Sequence, residues 1–372
     1  MNLPTLTESV PAPTAPPDAG KLVSLAAELR RAGYDIATCA KKLGVFPRLG
    51  VNFWEAMRFK WAPQPTDPVD TLIGLFIDGK EVPVDRMTSL FSSGFIDAAL
   101  ESGLADREGG SVRSRVCLFP CYGKYLATDR AAKNTAINQV MWLWGESYIL
   151  GGLVKRVPRR RAIDLGTGSG IHAILASDHA KNVVAVDVNP RALAFARFNA
   201  ALNGNGNLEF VLSDLLERVD GTCDLLLANP PYAPDEAAAA GDNFWSGGIE
   251  GTDLLRRIIQ ALPTRLDEDG TAHIVALYPN PKGTTIKDHF DRWLDGNIAA
   301  WEVLDHTWPV PRYEDLFSEK PFGGDKSAWR FGVVSLRRAS GRPGFWKEVA
   351  GKAVFFRADG SCSVVSDHDA AW

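Results

Sequence analysis

Two short strings in this chain carry residue types that can do chemistry together. The first, Ala162-Ile163-Asp164-Leu165-Gly166-Thr167-Gly168-Ser169-Gly170, is an apolar run that opens into a glycine-rich turn. Bare backbone at such a turn lets a nucleotide-like ligand come close, and the helix after it offers unpaired N–H groups. The second, Leu226-Leu227-Ala228-Asn229-Pro230-Pro231-Tyr232, ends an apolar strand in a short rigid turn that projects an amide, backbone carbonyls and an aromatic ring. An amide or aniline-like nitrogen is a poor nucleophile because its lone pair is delocalised. Asn229 and the Pro230 carbonyl can each accept one N–H of such a group and leave the lone pair pointing outward, while Tyr232 stacks on the planar group. Neither a metal nor a strong general base is needed for this.

A third position belongs with them. The run Val183-Val184-Ala185-Val186 ends in Asp187, and an acid there can accept hydrogen bonds from both hydroxyls of a ribose. Val188-Asn189-Pro190 then leads into the next helix, with Pro190 at a first-turn position, so a bare helix cap is the competing reading of Asp187. The glycine turn lacks the third spaced glycine of a dinucleotide fingerprint and carries Asp164 two residues before Gly166 instead.

The elements that must hold these residues follow from periodicity. From Ala162 onward strands and helices alternate: strands near 162–165, 182–187, 208–212, 223–228 and 271–277, helices near 169–179, 190–203, 252–262 and 284–295. Such units predict an α/β fold with a mainly parallel, doubly wound, Rossmann-like sheet. A later strand covers 330–337, and a terminal hairpin is expected at 353–356 and 362–365, turning at Asp359-Gly360.

Ahead of the sheet the pattern is different. Residues 1–20 are rich in proline and read as a disordered lead-in. Helices are expected from Lys21, over 35–43, 71–76, 84–91 and 94–104, with a turn at 106–110. A hairpin over 112–128, turning at Cys121-Tyr122-Gly123, completes a winged-helix-like N-terminal domain at 21–130. A linking helix fills 131–155 within a connecting segment, 131–160, and the basic run Arg159-Arg160-Arg161 at its end reads either as a solvated strand entrance or as a holder of a phosphate. The sheet domain is placed at 161–340 and a hairpin extension at 341–372.

Composition sets limits. At 372 residues, 45% hydrophobic and 23% charged, the chain reads as a two-domain globular protein. A formal net charge of −4 supplies no global basic field for non-specific nucleic-acid binding, and the basic residues of the front half are offset by acids. Five scattered cysteines suit reduced thiols in a cytoplasm. Cys117 and Cys121 lack a second pair or histidine to complete a metal site, so no metal is expected. There is no signal-like start and no segment long and apolar enough to span a membrane.

Together the glycine turn and Asn-Pro-Pro-Tyr resemble the class I S-adenosylmethionine-dependent methyltransferases of the N-methylating type, similar in their core to glutamine N5-methyltransferases. The likeness covers roughly residues 160–340. It implies a seven-stranded methyltransferase sheet with the 330–337 strand antiparallel near the edge, and S-adenosyl-L-methionine as cofactor. It further implies that Asp164, Gly166, Thr167, Gly168 and Gly170 lie by the methionine moiety. Asp187, Val188 and Asn189 then lie by the ribose, Asp214 accepts from the adenine amino group, and Asn229 borders both cofactor and acceptor. Asn229, Pro230 and Tyr232 are the implied catalytic residues. Gly247-Gly248-Ile249-Glu250-Gly251 is similar to a glycine-rich segment of the glutamine methyltransferases, and Phe244 and Trp245 before it either form a substrate lid or dock onto the fold.

The acceptor expected on these grounds is a small-molecule or protein amide ahead of a nucleic-acid base, which would have to be flipped or single-stranded to reach Tyr232. Two further readings stay open. One is a non-methylating use of the cofactor such as cyclisation, and the other a DNA-binding module that only senses the ligand. The oligomeric state is unspecified.

Overall fold

A computed structural model describes residues 11–15, 18–43, 63–64, 66–130, 138–232, 247–248, 251–279, 285–309, 329–339, 343–349, 351–356 and 362–366. The front half runs α1 (Ala19–Arg31), α2 (Ile36–Leu43), α3 (Pro68–Leu72), β1 (Val82–Pro83), α4 (Val84–Leu90), α5 (Ser93–Glu101), β2 (Ala105–Glu108), β3 (Ser111–Ser114), β4 (Cys117–Cys121) and β5 (Lys124–Thr128). After it come α6 (Gly145–Leu153), β6 (Arg159–Leu165), α7 (Ile171–Ser177), β7 (Ala180–Asp187), α8 (Pro190–Leu202), β8 (Leu208–Leu212), β9 (Cys223–Ala228), α9 (Asp253–Arg265) and β10 (Leu266–Pro279). The chain then continues through α10 (Ile286–Trp293), β11 (Trp301–Pro309), β12 (Trp329–Arg338), β13 (Phe345–Glu348), β14 (Gly351–Phe356) and β15 (Cys362–Ser366).

The central sheet has eight strands in the order β13-β11-β12-β10-β9-β6-β7-β8. Strands β6 to β10 are parallel, and β12 runs antiparallel to both β10 and β11, as expected for that strand. The count is a correction: Phe345–Glu348 adds an eighth strand, parallel to β11, where seven were expected. Continuous apolar runs such as Ala162-Ile163 and Leu225-Leu226-Leu227 fit strands covered on both faces. From β6 the chain winds one way to β7 and β8, then returns to β9 and β10 on the other side. This leaves a crevice outside the carboxyl ends of β6 and β9, where an open sheet binds its ligand.

The front half departs from the sequence reading in several places. Val112 lies in β3 of a separate three-stranded sheet, β1-β3-β2, and the expected turn at 106–110 is mostly strand. The hairpin β4–β5 stands alone, and its turn has Tyr122 and Gly123 both at positive φ, 50° and 77°, the geometry of a tight two-residue hairpin loop. The helix expected at 71–76 loosens to a π-helical turn over Ile73–Asp78. The Arg130 guanidinium takes the carbonyls of Leu75, Phe76 and Ile77 there. Within the supposed disordered lead-in, Pro13 is buried and the Thr14 N–H donates to the Ser102 carbonyl. Residues 131–137 of the linking helix lie outside the described residues, and 138–144 are not helical. There Asp129 and Val140 exchange hydrogen bonds (Asp129 N–H to the Val140 carbonyl, Val140 N–H to Asp129 Oδ2), and only Gly145–Leu153 is helix.

Two side chains, Asn199 of α8 and Asn203 at its C-cap, tie the front half to the sheet. Asn199, fully buried, accepts the Ala127 N–H (2.7 Å) and donates to the carbonyls of Ala127 (2.9 Å) and Ser169 (2.8 Å). One turn on, Asn203 makes the same paired bonds to Tyr125 at 2.8 Å each. The two amides stand in for a neighbouring strand along β5, and Asn199 extends the same grip to the glycine turn. Apolar residues of the front half share one core with Ala192, Phe195, Phe198 and Leu202 of α8.

Candidate functional site

The glycine turn leaves β6 with Gly166, Gly168 and Gly170 all at positive φ, 65°, 53° and 85°. Side chains are strained in that region, which is why alternate positions are bare. Their surroundings differ. A Cβ on Gly168 would meet nothing within 4 Å, so this glycine faces open space. A Cβ on Gly170 would lie 3.0 Å from Ala196 Cβ, so its bareness lets α7 and α8 pack closely. A Cβ on Gly166 would come within 3.8 Å of the Asn229 carbonyl oxygen, so the two strings singled out in the sequence abut.

Asp164 is buried beneath this turn. Its Oδ2 accepts from the Thr167 hydroxyl (2.6 Å) and the Ala173 N–H (3.0 Å), while Oδ1 has no partner among the described residues. Burial pushes its carboxyl up to about 7 against those two bonds. A buried acceptor left open is costly, and a cationic or N–H-bearing ligand would satisfy it. Thr167 spends its hydroxyl on Asp164 and therefore acts through it.

Asp187 ends β7 with both carboxylate oxygens anchored, Oδ2 on the Gly168 N–H and Oδ1 on the Asn189 N–H, each at 2.9 Å. Each oxygen keeps a further lone pair for a ligand hydroxyl. Burial raises this carboxyl as well. Val188 beside it is 63% exposed, a bare apolar surface against which a planar base can lie. The Asn189 side chain caps α8, accepting the Arg191 N–H, and is not free for a ligand through that oxygen. Asp214 is held at 2.9 Å by the Arg257 guanidinium, a partner the sequence reading did not foresee.

Asn229 and Tyr232 follow β9. Asn229 is half-buried, and its side-chain amide makes no hydrogen bond to the described residues. Tyr232 is only 8% exposed, edge-on to Phe331 with ring centroids 5.6 Å apart, and its hydroxyl is hydrogen-bonded to Glu146. The ring is therefore fixed both at its edge and at its hydroxyl. The Gly247 backbone also packs on this turn, since a Cβ there would lie 2.9 Å from the Pro231 carbonyl oxygen. Phe244 and Trp245 lie outside the described residues.

Glu146 and Phe331 are the site residues that sequence reasoning missed. Glu146, in the first turn of α6, is buried, and burial lifts its carboxyl to about 7 against the Tyr232 bond. His172 Nε2 meets the Ser147 carbonyl at 3.1 Å and holds α6 in place over α7. The available signal was a lone acid within the apolar run Trp142-Leu143-Trp144…Tyr148-Ile149.

Comparison with known proteins adds a family match and three relatives. The family model described as methyltransferase small domain matches residues 145–295. A release factor glutamine methyltransferase of Cereibacter sphaeroides is 40% identical over 125 residues, 30% of this chain and 45% of that protein. A ribosomal protein uL3 glutamine methyltransferase of Bradyrhizobium diazoefficiens is 37% identical over 122 residues, 30% of this chain and 38% of that one. Methyltransferase HEMK2 of Mus musculus is 31% identical over 148 residues, 37% of this chain and 69% of its own length. The chain thus spans less than half the length of the first two relatives.

Proposed function

We propose that this chain, which belongs to the methyltransferase family that includes HEMK2, transfers a methyl group from S-adenosyl-L-methionine to an amide or amino nitrogen. The observation that carries this reading is the abutment of the glycine turn and the Asn229 turn at the crevice of the sheet. When bound, the cofactor supplies an electrophilic methyl on a sulfonium. The buried Asp164 carboxyl draws the cofactor's ammonium toward this end of the crevice, Gly168 leaves room for its chain, Asp187 takes the ribose hydroxyls and Val188 lies against the base. Asp214 reaches the adenine amino group only after sharing or leaving Arg257. Asn229 and the Pro230 carbonyl take the acceptor N–H groups, so positioning supplies the rate.

A protein glutamine amide is the acceptor we favour, in keeping with the names of the relatives. The order of α3, β1, α4, α5, β2 and β3 supports a winged-helix-like reading within 21–130. Yet α5 carries Asp97 and Glu101, and Lys21 of α1 is tied to Glu101, a poor face for nucleic acid. Among the described residues four cysteines are free and buried, which suits action in the cytoplasm. Incubation of the chain with methyl-labelled cofactor and cell extract is expected to place label in protein and release N5-methylglutamine on digestion. Label in nucleic acid, or methylthioadenosine as the product, would overturn the reading.

A proton should leave when the cofactor binds. The carboxyl of Asp164, lifted to about 7 by burial, is largely protonated below that pH, and a neighbouring ammonium favours its ionised form. Binding therefore releases protons at about pH 6.5, and the release fades by about pH 8.5, where the carboxyl is ionised already. Calorimetry in buffers of different ionisation enthalpy measures this directly. Proton uptake near pH 6.5 would contradict the placement of the ammonium at Asp164.

A further inference from the structure

A second cleft, of about 280 Å³, opens on the sheet face where α6 stops covering it. Its polar walls include Lys155, Arg159, Asp269, His273, His306 and Ser335. Arg159 begins β6 and Leu165 ends it, so the cleft lies roughly 20 Å from the glycine turn at the usual strand rise. The backbone of the β14–β15 hairpin runs beside α6 and β11, the elements that border it.

The charges of this cleft do not balance. Asp269 is the one acid among its lining residues. Glu302 pairs with Arg337 and neutralises it. Arg159 donates to the Asp224 carbonyl (3.0 Å) and the Thr271 hydroxyl (3.0 Å), but no carboxylate lies within ion-pair distance among the described residues. Its buried Nε has no partner there either. Burial, with Arg159 and His306 nearby, pushes His273 down to about 3, and burial alone pushes His306 to about 4, so both rings are neutral. His273 Nδ1 meets the Ser335 hydroxyl at 2.8 Å, whereas the buried Nδ1 of His306 has no partner among the described residues.

Two cations, Lys155 and Arg159, against the single acid Asp269, beside two neutral rings and a hydroxyl, make an anion site. The donors are spread along one face of the sheet over β6, β10, β11 and β12, and a phosphate, with three acceptor oxygens, can take more of them at once than a two-oxygen carboxylate. We propose that this cleft binds a phosphate group, free or as a small phosphate monoester, with Lys155 and Arg159 supplying the charge and Ser335 and His306 the neutral donors. The inference does not depend on the methyl-transfer reading.

Inorganic phosphate and ribose 5-phosphate, titrated into the full chain at constant ionic strength, test it. Histidine ring NMR signals, assigned through His273→Gln and His306→Gln, are expected to shift saturably with one or both ligands, and the tighter of the two identifies the source. Lys155→Gln combined with Arg159→Gln should weaken that binding about ten-fold or more. If the double variant fails to fold, Lys155→Gln alone, on the segment after α6, should still weaken it several-fold. No saturable shift of either ring, an equal shift with chloride, or affinity untouched by Lys155→Gln would each overturn the proposal.

Discussion

Asn229→Ala is expected to bind S-adenosylmethionine as tightly as the parent chain and to transfer its methyl two to three orders of magnitude more slowly. The side-chain amide of Asn229 makes no hydrogen bond to the described residues, so its removal breaks nothing visible in the fold. Its neighbour Pro230 is buried and keeps the turn in place. What is lost is an oriented acceptor for one N–H of the substrate nitrogen. That bond strengthens as the nitrogen gives up its lone pair, so it stabilises the transition state more than the bound ground state. An oriented polar group of this kind contributes roughly 3 to 4 kcal/mol, or about 10²- to 10³-fold in rate. Single-turnover label transfer gives the rate, and calorimetry gives the cofactor affinity. Transfer at the parental rate would refute the nitrogen chemistry, whatever the acceptor.

The parts of this site that sequence showed are those in which short-range chemistry and geometry coincide. Asp164, the spaced glycines, Asp187 and Asn229 all stand at the carboxyl ends of apolar strands, and period and strand order bring those ends together without further information. Glu146 was not legible, because its place depends on α6 packing across β10 and β12, more than a hundred residues away in the chain. The long linking helix was misread for a similar reason. The segment 138–144 has apolar residues at helical spacing, yet Asp129 holds Val140 by both its backbone and its carboxylate, and the chain stays out of a helix there. Strand β11 was hidden by its own polar residues. Asp305 and Thr307 look like surface, but they are buried, and Thr307 and Tyr278 share a hydrogen bond of 3.0 Å. The pairing of Asp214 with Arg257 joins residues 43 apart in sequence, and no local pattern announces it.

Asp187→Ala should weaken cofactor binding by at least about a hundred-fold, the largest loss of affinity among the pocket residues. Two effects add. The carboxylate would lose its bonds to the ribose hydroxyls, each worth roughly 1.5 to 3 kcal/mol when one partner is charged. It would also release the N–H groups of Gly168 and Asn189, which it now holds at 2.9 Å, and so loosen the turn that must open toward the ligand. Asp187→Asn separates the two, since its amide oxygen can keep one backbone N–H while the charge is gone. Its affinity should therefore fall between those of the parent and the alanine variant. The melting temperature of the ligand-free chain controls for global damage: α8 keeps its own cap from the Asn189 side chain, so the sheet and helix should survive. Calorimetry that found the alanine variant binding as tightly as the parent, in a chain that melts normally, would remove Asp187 from the ribose and with it the orientation of the whole ligand along the crevice.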